Sequence, residues 1–150
     1  MISRKQEIEE QLKNGKIIKM VIKVPPRTKK NHGRIIENKQ TKKKFMLPSE
    51  QYVQYEKDCC YFVSPKHVKI DIPLNIKCLY YMPTKGRVDK TNLESAVMDM
   101  LVYYGVIKDD NSTIVVSTDG SRVKYDKENP RTEIYISYQP NLWLYLFSFY

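Results

Sequence analysis

The chain has 150 residues and a mass of 17.8 kDa, the size of one ordinary domain that buries roughly two-thirds of the surface its unfolded form exposes. Hydrophobic residues at 41% and charged residues at 29% exclude a disordered chain and a membrane-embedded one, leaving a soluble globular protein. The excess of 26 Lys and Arg over 17 Asp and Glu, a formal charge of +9, points to a polyanionic partner, either nucleic acid or an anionic membrane surface.

Met1-Ile2-Ser3-Arg4-Lys5-Gln6 lacks the apolar run of a signal peptide, so a cytoplasmic location is expected. Ser3 to Gln6 reads as a capping box, and Asn14-Gly15 closes the short polar surface helix that it opens. The β-branched run Ile17–Val24 is a strand, stopped by Pro25-Pro26. From Arg27 to Lys44 the chain is basic and polar around Ile35-Ile36. A hairpin of Arg34–Glu37 against Lys43–Leu47, turning through Asn38–Thr41, would hold its cations on a projecting arm; a solvated loop is the alternative.

Pro48-Ser49-Glu50 starts a helix, with Tyr52, Val53, Glu56, Cys59, Cys60 and Val63 at the spacing of one packing face and Pro65 as its end. Val68–Ile72 and Leu74–Met82 read as extended, the second with Leu74, Ile76, Cys78 and Tyr80 turned to the core. Thr91-Asn92-Leu93-Glu94 reads as a second capping box, followed by apolar Leu93, Val97, Met100, Leu101 and Tyr104 and by Gly105 at the left-handed exit. Thr113–Thr118 and Thr132–Tyr138 are strands. Helices interleave with strands without a βαβ repeat, which predicts an α+β domain, a mixed β-sheet with helices packed on it.

The three cysteines, Cys59, Cys60 and Cys78, include an adjacent pair and have no histidine at zinc-type spacing, so buried structural thiols in a reduced protein are expected. The chain divides into a helical extension (1–16), a main domain (17–138) and an apolar tail (139–150). That tail is about half the ~20 residues needed to span a bilayer and lacks flanking cations. Core packing or a dimer contact is the preferred cover for it, and no stable membrane association is expected.

The chemistry concentrates in Arg87-Val88-Asp89-Lys90-Thr91-Asn92-Leu93-Glu94 and Val106-Ile107-Lys108-Asp109-Asp110-Asn111-Ser112. Asp89 precedes the helix and Asp109-Asp110 follow it, some 14 residues or roughly 20 Å away. They can meet only if the chain after Gly105 doubles back, so that Asp110 or the strand following it lies beside the strand ending near Met82. Carboxylates gathered in that way would suit a hard cation such as Mg²⁺, which binds through oxygen and keeps several waters. Helix capping and turn formation explain the same acids without catalysis, and Asp99, on the polar side with Asn92 and Ser95, can equally face solvent.

The ordered set Asp89-Lys90-Thr91-Asn92-Leu93-Glu94-Ser95, Asp99, Gly105 and Asp109-Asp110 resembles the RusA family of Holliday junction resolvases. In that family Asp-x-Asp-Asn-Leu, with Lys two residues later, is followed by an Asp in the helix, a Gly and an Asp-Asp pair. Pro25-Pro26, Lys30-Asn31, Ser49 with Tyr52 and Tyr55, Met82-Pro83 and the final strand around Glu133 extend the resemblance loosely over residues 17 to 138. Thr91 stands where the family has its second Asp, and Ser95 where it has a catalytic Lys.

The resemblance implies a Mg²⁺-dependent endodeoxyribonuclease, acting as a homodimer that cuts two opposed strands of a four-way DNA junction in recombination or repair. It assigns Asp89 and Asp110 to the metal, with Asn92 and Glu94 as possible completing ligands, Asp109 adjacent in the pair, and Lys90 as a substitute cation. Arg27, Lys29, Lys30, Arg34, Lys42, Lys43, Lys44 and Arg87 would hold backbone phosphates. The alternative is a dimeric branched-DNA-binding protein whose cleavage is weakened or lost through Thr91 and Ser95. A generic RNA-binding module lacks an aromatic RNP-type strand or a Gly-x-x-Gly clamp.

Overall fold

Ser3 opens the first element of the computed structural model, which describes residues 1–28 and 33–140. Its hydroxyl accepts the Gln6 amide at 3.2 Å while the Gln6 side chain accepts the Ser3 amide at 2.9 Å, the expected capping box. Helix α1 (Arg4–Lys13) follows and ends at Asn14, with Gly15 at φ +94°. Strand β1 (Ile18–Ile22) comes next. The hairpin β2 (Arg34–Glu37) and β3 (Lys44–Leu47) pairs Arg34 with Leu47 and Glu37 with Lys44, as the sequence predicts.

Ser49 caps α2 (Glu50–Cys59) through the Tyr52 amide at 3.1 Å. After it come β4 (Leu74–Met82), α3 (Lys90–Tyr103), β5 (Val115–Ser117), β6 (Arg122–Tyr125) and β7 (Arg131–Tyr138). The main sheet runs β1-β7-β4-β5, with β6 also on β4. β1, β7 and β4 are antiparallel, whereas β5 and β6 lie parallel to β4. A parallel neighbour needs a crossover, and α3 supplies it. This is the mixed sheet with packed helices that the pattern predicts.

Alternation places one face of the sheet in the core. Met20 and Ile22 of β1, Ile134 and Ile136 of β7, and Leu74, Ile76, Cys78 and Tyr80 of β4 are all buried. Their registers bring Ile76 opposite Ile136 and Cys78 opposite Ile134. From α3, Leu93, Ala96, Val97, Met100 and Leu101 complete the same core. The opposite face is wet, with Lys19 and Lys77 over the Tyr135 ring and Arg131 stacked 3.7 Å from the centre of Tyr81.

Several expectations need correction. The α3 cap is Asp89, not Thr91: the Asp89 carboxylate accepts the Asn92 amide at 3.2 Å, two residues earlier than the proposed box. Glu94 cannot reach back as a box requires, because Lys90 holds it at 2.6 Å. Val68–Ile72 forms no strand. Positive φ at His67 and Lys69 breaks the extended run, leaving one bridge from Ile70 to Ile107.

The packing face of α2 is Tyr52, Tyr55 and Cys59, with Val53 40% exposed. Cys59 and Cys78 are buried, and burial pushes both thiols up to about 12, but Cys60 is only half-buried. Strand β6 is the addition: its four residues are all exposed and are held by pairing with Leu79–Met82, so no buried face marks them in sequence. Residues 141–150 of the apolar tail, with Lys29 and Lys30, lie outside the described residues.

Candidate active site

Gly105 determines where the chain goes after α3. It sits at φ +66°, and a Cβ there would meet the His67 backbone at 3.1 Å, so only glycine allows this approach. The chain then runs beside residues 67–70: His67 N–H donates to Tyr104 O, Lys69 N–H to Gly105 O, and Lys108 N–H to Ile70 O. Further on, β5 pairs with Leu74 and Asn75, and β6 reaches Met82. The return required for the two acidic segments to approach is therefore present, carried by β5 and β6.

Asp110 stops short of the α3 start. It lines a cleft of about 460 Å³ with Asp99, Val102 and Tyr103 of α3 and with Pro48, Tyr52, Val53 and Glu56 of the α2 segment. Asp99 stands ten residues beyond Asp89, about 15 Å of axial rise. Asp89 and Asp110 thus belong to opposite ends of α3. Among the described residues no three His, Cys, Asp or Glu side chains come close enough together to ligate one metal ion directly.

The turn that presents Asp110 is built by its neighbours. Asp109 accepts the Asp110 amide and the Asn111 side-chain amide, each at 2.8 Å, and these bonds, the Asn111 one foremost, hold its carboxyl below the usual carboxylate range. Lys108 reaches Asp71 at 2.7 Å, fastening the turn to the segment before β4. This bond raises the Lys108 ammonium and lowers the Asp71 carboxyl. Asp109 is thereby committed to the turn, and Asp110 is the acid that faces the cleft.

At the other end of α3, Lys90 and Glu94 pair with each other. The Ser95 hydroxyl donates to the Thr91 carbonyl at 3.0 Å, so the serine in the usual Lys position is engaged with its own helix. A second cleft joins Val88 and Leu93 to Met82, Ser49, Gln51, Tyr52, Pro26, Arg27 and Thr28. The two clefts meet at Tyr52. The result is a groove along α3 with Arg27 near its Asp89 end and Glu56, Asp99 and Asp110 at its far end.

The cationic arm adjoins this groove. Arg34 of β2 pairs with Glu50 in the first turn of α2 at 2.8 Å, fastening the hairpin beside Ser49. Lys42 lies 3.8 Å from Glu37, while Lys43 and Lys44 are exposed. Arg87 is exposed on the loop before Asp89. Sequence reasoning missed Glu56 and Tyr52 as groove residues because their helical spacing reads as packing. The one signal was a carboxylate set within an apolar stripe.

A family model described as endodeoxyribonuclease RusA matches residues 19–137. The chain belongs to the RusA family. No curated protein gives a significant match. The RusA match starts within β1 and ends within β7, so it takes in the hairpin, both walls of the groove and the whole mixed sheet. Family membership supports endodeoxyribonuclease activity on Holliday junctions at the level of the family. No helix among the described residues is long and apolar enough to cross a membrane.

Proposed function

We propose that this RusA-family chain is a Mg²⁺-dependent, structure-selective endodeoxyribonuclease that resolves Holliday junctions by paired cuts, as a homodimer, in DNA recombination or repair. The observation that carries the reading is the acidic groove along α3, with Asp110 in it and a basic hairpin fastened at its side, in a chain of this family. Two-fold symmetry in a dimer would match that of a four-way junction, giving one cut for each of two opposed strands.

Glu56, Asp99 and Asp110 offer oxygen ligands, and Mg²⁺ is commonly held by one or two carboxylates and water, so the residues fit the ion. Bound there, Mg²⁺ would stabilise charge developing on the scissile phosphate and make a water acidic enough to attack it. The chain's own groups do the positioning. Lys90 and Thr91 N–H groups at the start of α3 lack intrahelical acceptors and suit a backbone phosphate. Asp89 Oδ1 holds the Asn92 amide and fixes that helix start. The other Asp89 oxygen can take a proton from the attacking water as the phosphorus–oxygen bond to the leaving sugar breaks. Lys42, Lys43, Lys44, Arg27 and Arg87 would hold flanking phosphates without reading sequence.

The Ser95–Thr91 hydrogen bond favours a second reading, a junction-binding protein with weakened cleavage, since neither side chain supplies the charge that the family's Asp and Lys would. Thr91→Asp should then raise the cleavage rate or lower the Mg²⁺ concentration required. The decisive experiment incubates end-labelled four-way junction and linear duplex of the same sequence with the protein, with and without Mg²⁺. Cleavage of the junction alone, and only with the metal, is expected. Junction binding without cleavage at any Mg²⁺ concentration would select the second reading.

A further inference from the structure

We infer that Glu56 and Tyr52 are working members of a hydrated divalent-cation site shared with Asp99 and Asp110, so that the cation sits in the cleft between α2 and α3. The inference deepens the nuclease reading and rests on it for the role of the ion. Three carboxylates reach this cleft from three separate places, the second half of α2, the middle of α3 and the loop after it. Two of them are outside the acidic motifs that flank α3.

An acidic cleft alone would mean little, but Tyr52 adds an independent observation. It is 3% exposed, it lines the cleft, and its hydroxyl is buried without a hydrogen-bond partner. A buried hydroxyl is left unpaired only at a cost, and this one sits where a bound water would satisfy it. Burial, followed by the charges of Glu56 and Asp99, holds the phenol well above its ordinary value, so it stays protonated and can donate.

The size of the cleft fits the same occupant. Six waters around an ion occupy about 180 Å³ at roughly 30 Å³ each, well within a cleft of about 460 Å³. No three described acids converge tightly enough for a cage of direct ligands, and that spacing is what an ion keeping several waters needs. The wall is also fixed: the Tyr104 hydroxyl donates to the Glu56 carbonyl, tying the second half of α2 to the end of α3.

The test is calorimetric titration of the full chain with Mn²⁺ in the absence of DNA, comparing the parent with Glu56→Gln, Asp110→Asn, Tyr52→Phe and Asp58→Asn. Asp58 is a nearby acid of α2 bonded to Gln54 and serves as the control. Glu56→Gln and Asp110→Asn should each weaken Mn²⁺ binding about tenfold or more, and Tyr52→Phe by several-fold, as supporting groups around a metal do. Asp58→Asn should match the parent.

Thermal melts check that each variant is folded, and Tyr52→Phe keeps the ring in its packing. Parental affinity in Glu56→Gln, or an equal loss in Asp58→Asn, would overturn the inference. If Glu56→Gln kept both parental Mn²⁺ affinity and junction cleavage, the cation site would fail and the nuclease reading would stand. If the parent cut no junction while Glu56→Gln still lost Mn²⁺, the nuclease reading would fail and the cation site would stand.

Discussion

Asp89 has two separable duties, and two substitutions pull them apart. As the N-cap of α3 its carboxylate accepts the Asn92 amide at 3.2 Å, and as a proposed catalytic group it contributes a charge. Asn is as good a cap as Asp, whereas Ala offers no acceptor and costs roughly 1 kcal/mol. For 150 residues the unfolding entropy near the melting temperature is about 0.3 kcal/mol/K, so losing the cap lowers Tm by about 3 °C. Asp89→Asn keeps the cap and loses only part of the favourable charge at the positive end of the helix, a shift of about 1 °C. Circular dichroism melts and junction cleavage would be measured on the same preparations. Both variants should fail to cut, but only Asp89→Ala should melt distinctly lower. Cleavage by Asp89→Asn at the parental rate would refute the catalytic duty, and an Asp89→Ala melt matching the parent would refute the capping one.

Three further outcomes are expected. Thr132 is fully buried, and its hydroxyl finds no partner among the described residues, so Thr132→Val should stabilise the fold by about 1 kcal/mol in urea denaturation; a loss of stability would mean that the hydroxyl is satisfied. Replacing Lys42, Lys43 and Lys44 together by Ala should flatten the plot of log K against log salt by about 0.9 for each phosphate no longer neutralised, similarly for junctions of different sequence, and an unchanged slope would make the arm a solvated loop. The Asp71 carboxyl is held low by Lys108, so its contribution to stability is present above the unfolded carboxyl range near about 4 and fades as pH falls through the lower folded value. Melts of Asp71→Asn should therefore lie below the parent at neutral pH and converge with it in acid; a constant gap at every pH would exclude the ion pair as the cause.

Local signals made much of the fold legible. Ser3-x-x-Gln6, Asn14-Gly15, the alternation of Leu74 to Tyr80 and the Gly105 exit each specify geometry within a few residues, and each is present. The failures share a cause, a neighbour distant in sequence. Arg122–Tyr125 becomes a strand because β4 offers it an edge, and Val68–Ile72 is kept from becoming one by the backbone at His67 and Lys69. The Asp89 cap was hidden because Lys90 takes Glu94, which the box pattern assigns to capping.

At the candidate site, the acids flanking α3 were visible, but their partners were not. Asp110 faces Glu56 and Tyr52 only because residues 104–108 run back beside residues 67–70, and no spacing within α2 announces that meeting. Asp99 was left between solvent and function by its helical position alone; the structure turns it into the cleft. Thr91 and Ser95 were legible as departures, and the hydrogen bond between them is a tertiary-independent consequence of their i, i+4 spacing.

The central claim is best tested on a supercoiled plasmid that extrudes a cruciform, where the two cuts of one junction can be told from a single nick. Paired cleavage by a dimer predicts linear plasmid formed directly, only with Mg²⁺, and lost in Asp110→Asn. Nicked circles accumulating without linear product, or linear product formed equally by Asp110→Asn, would contradict it.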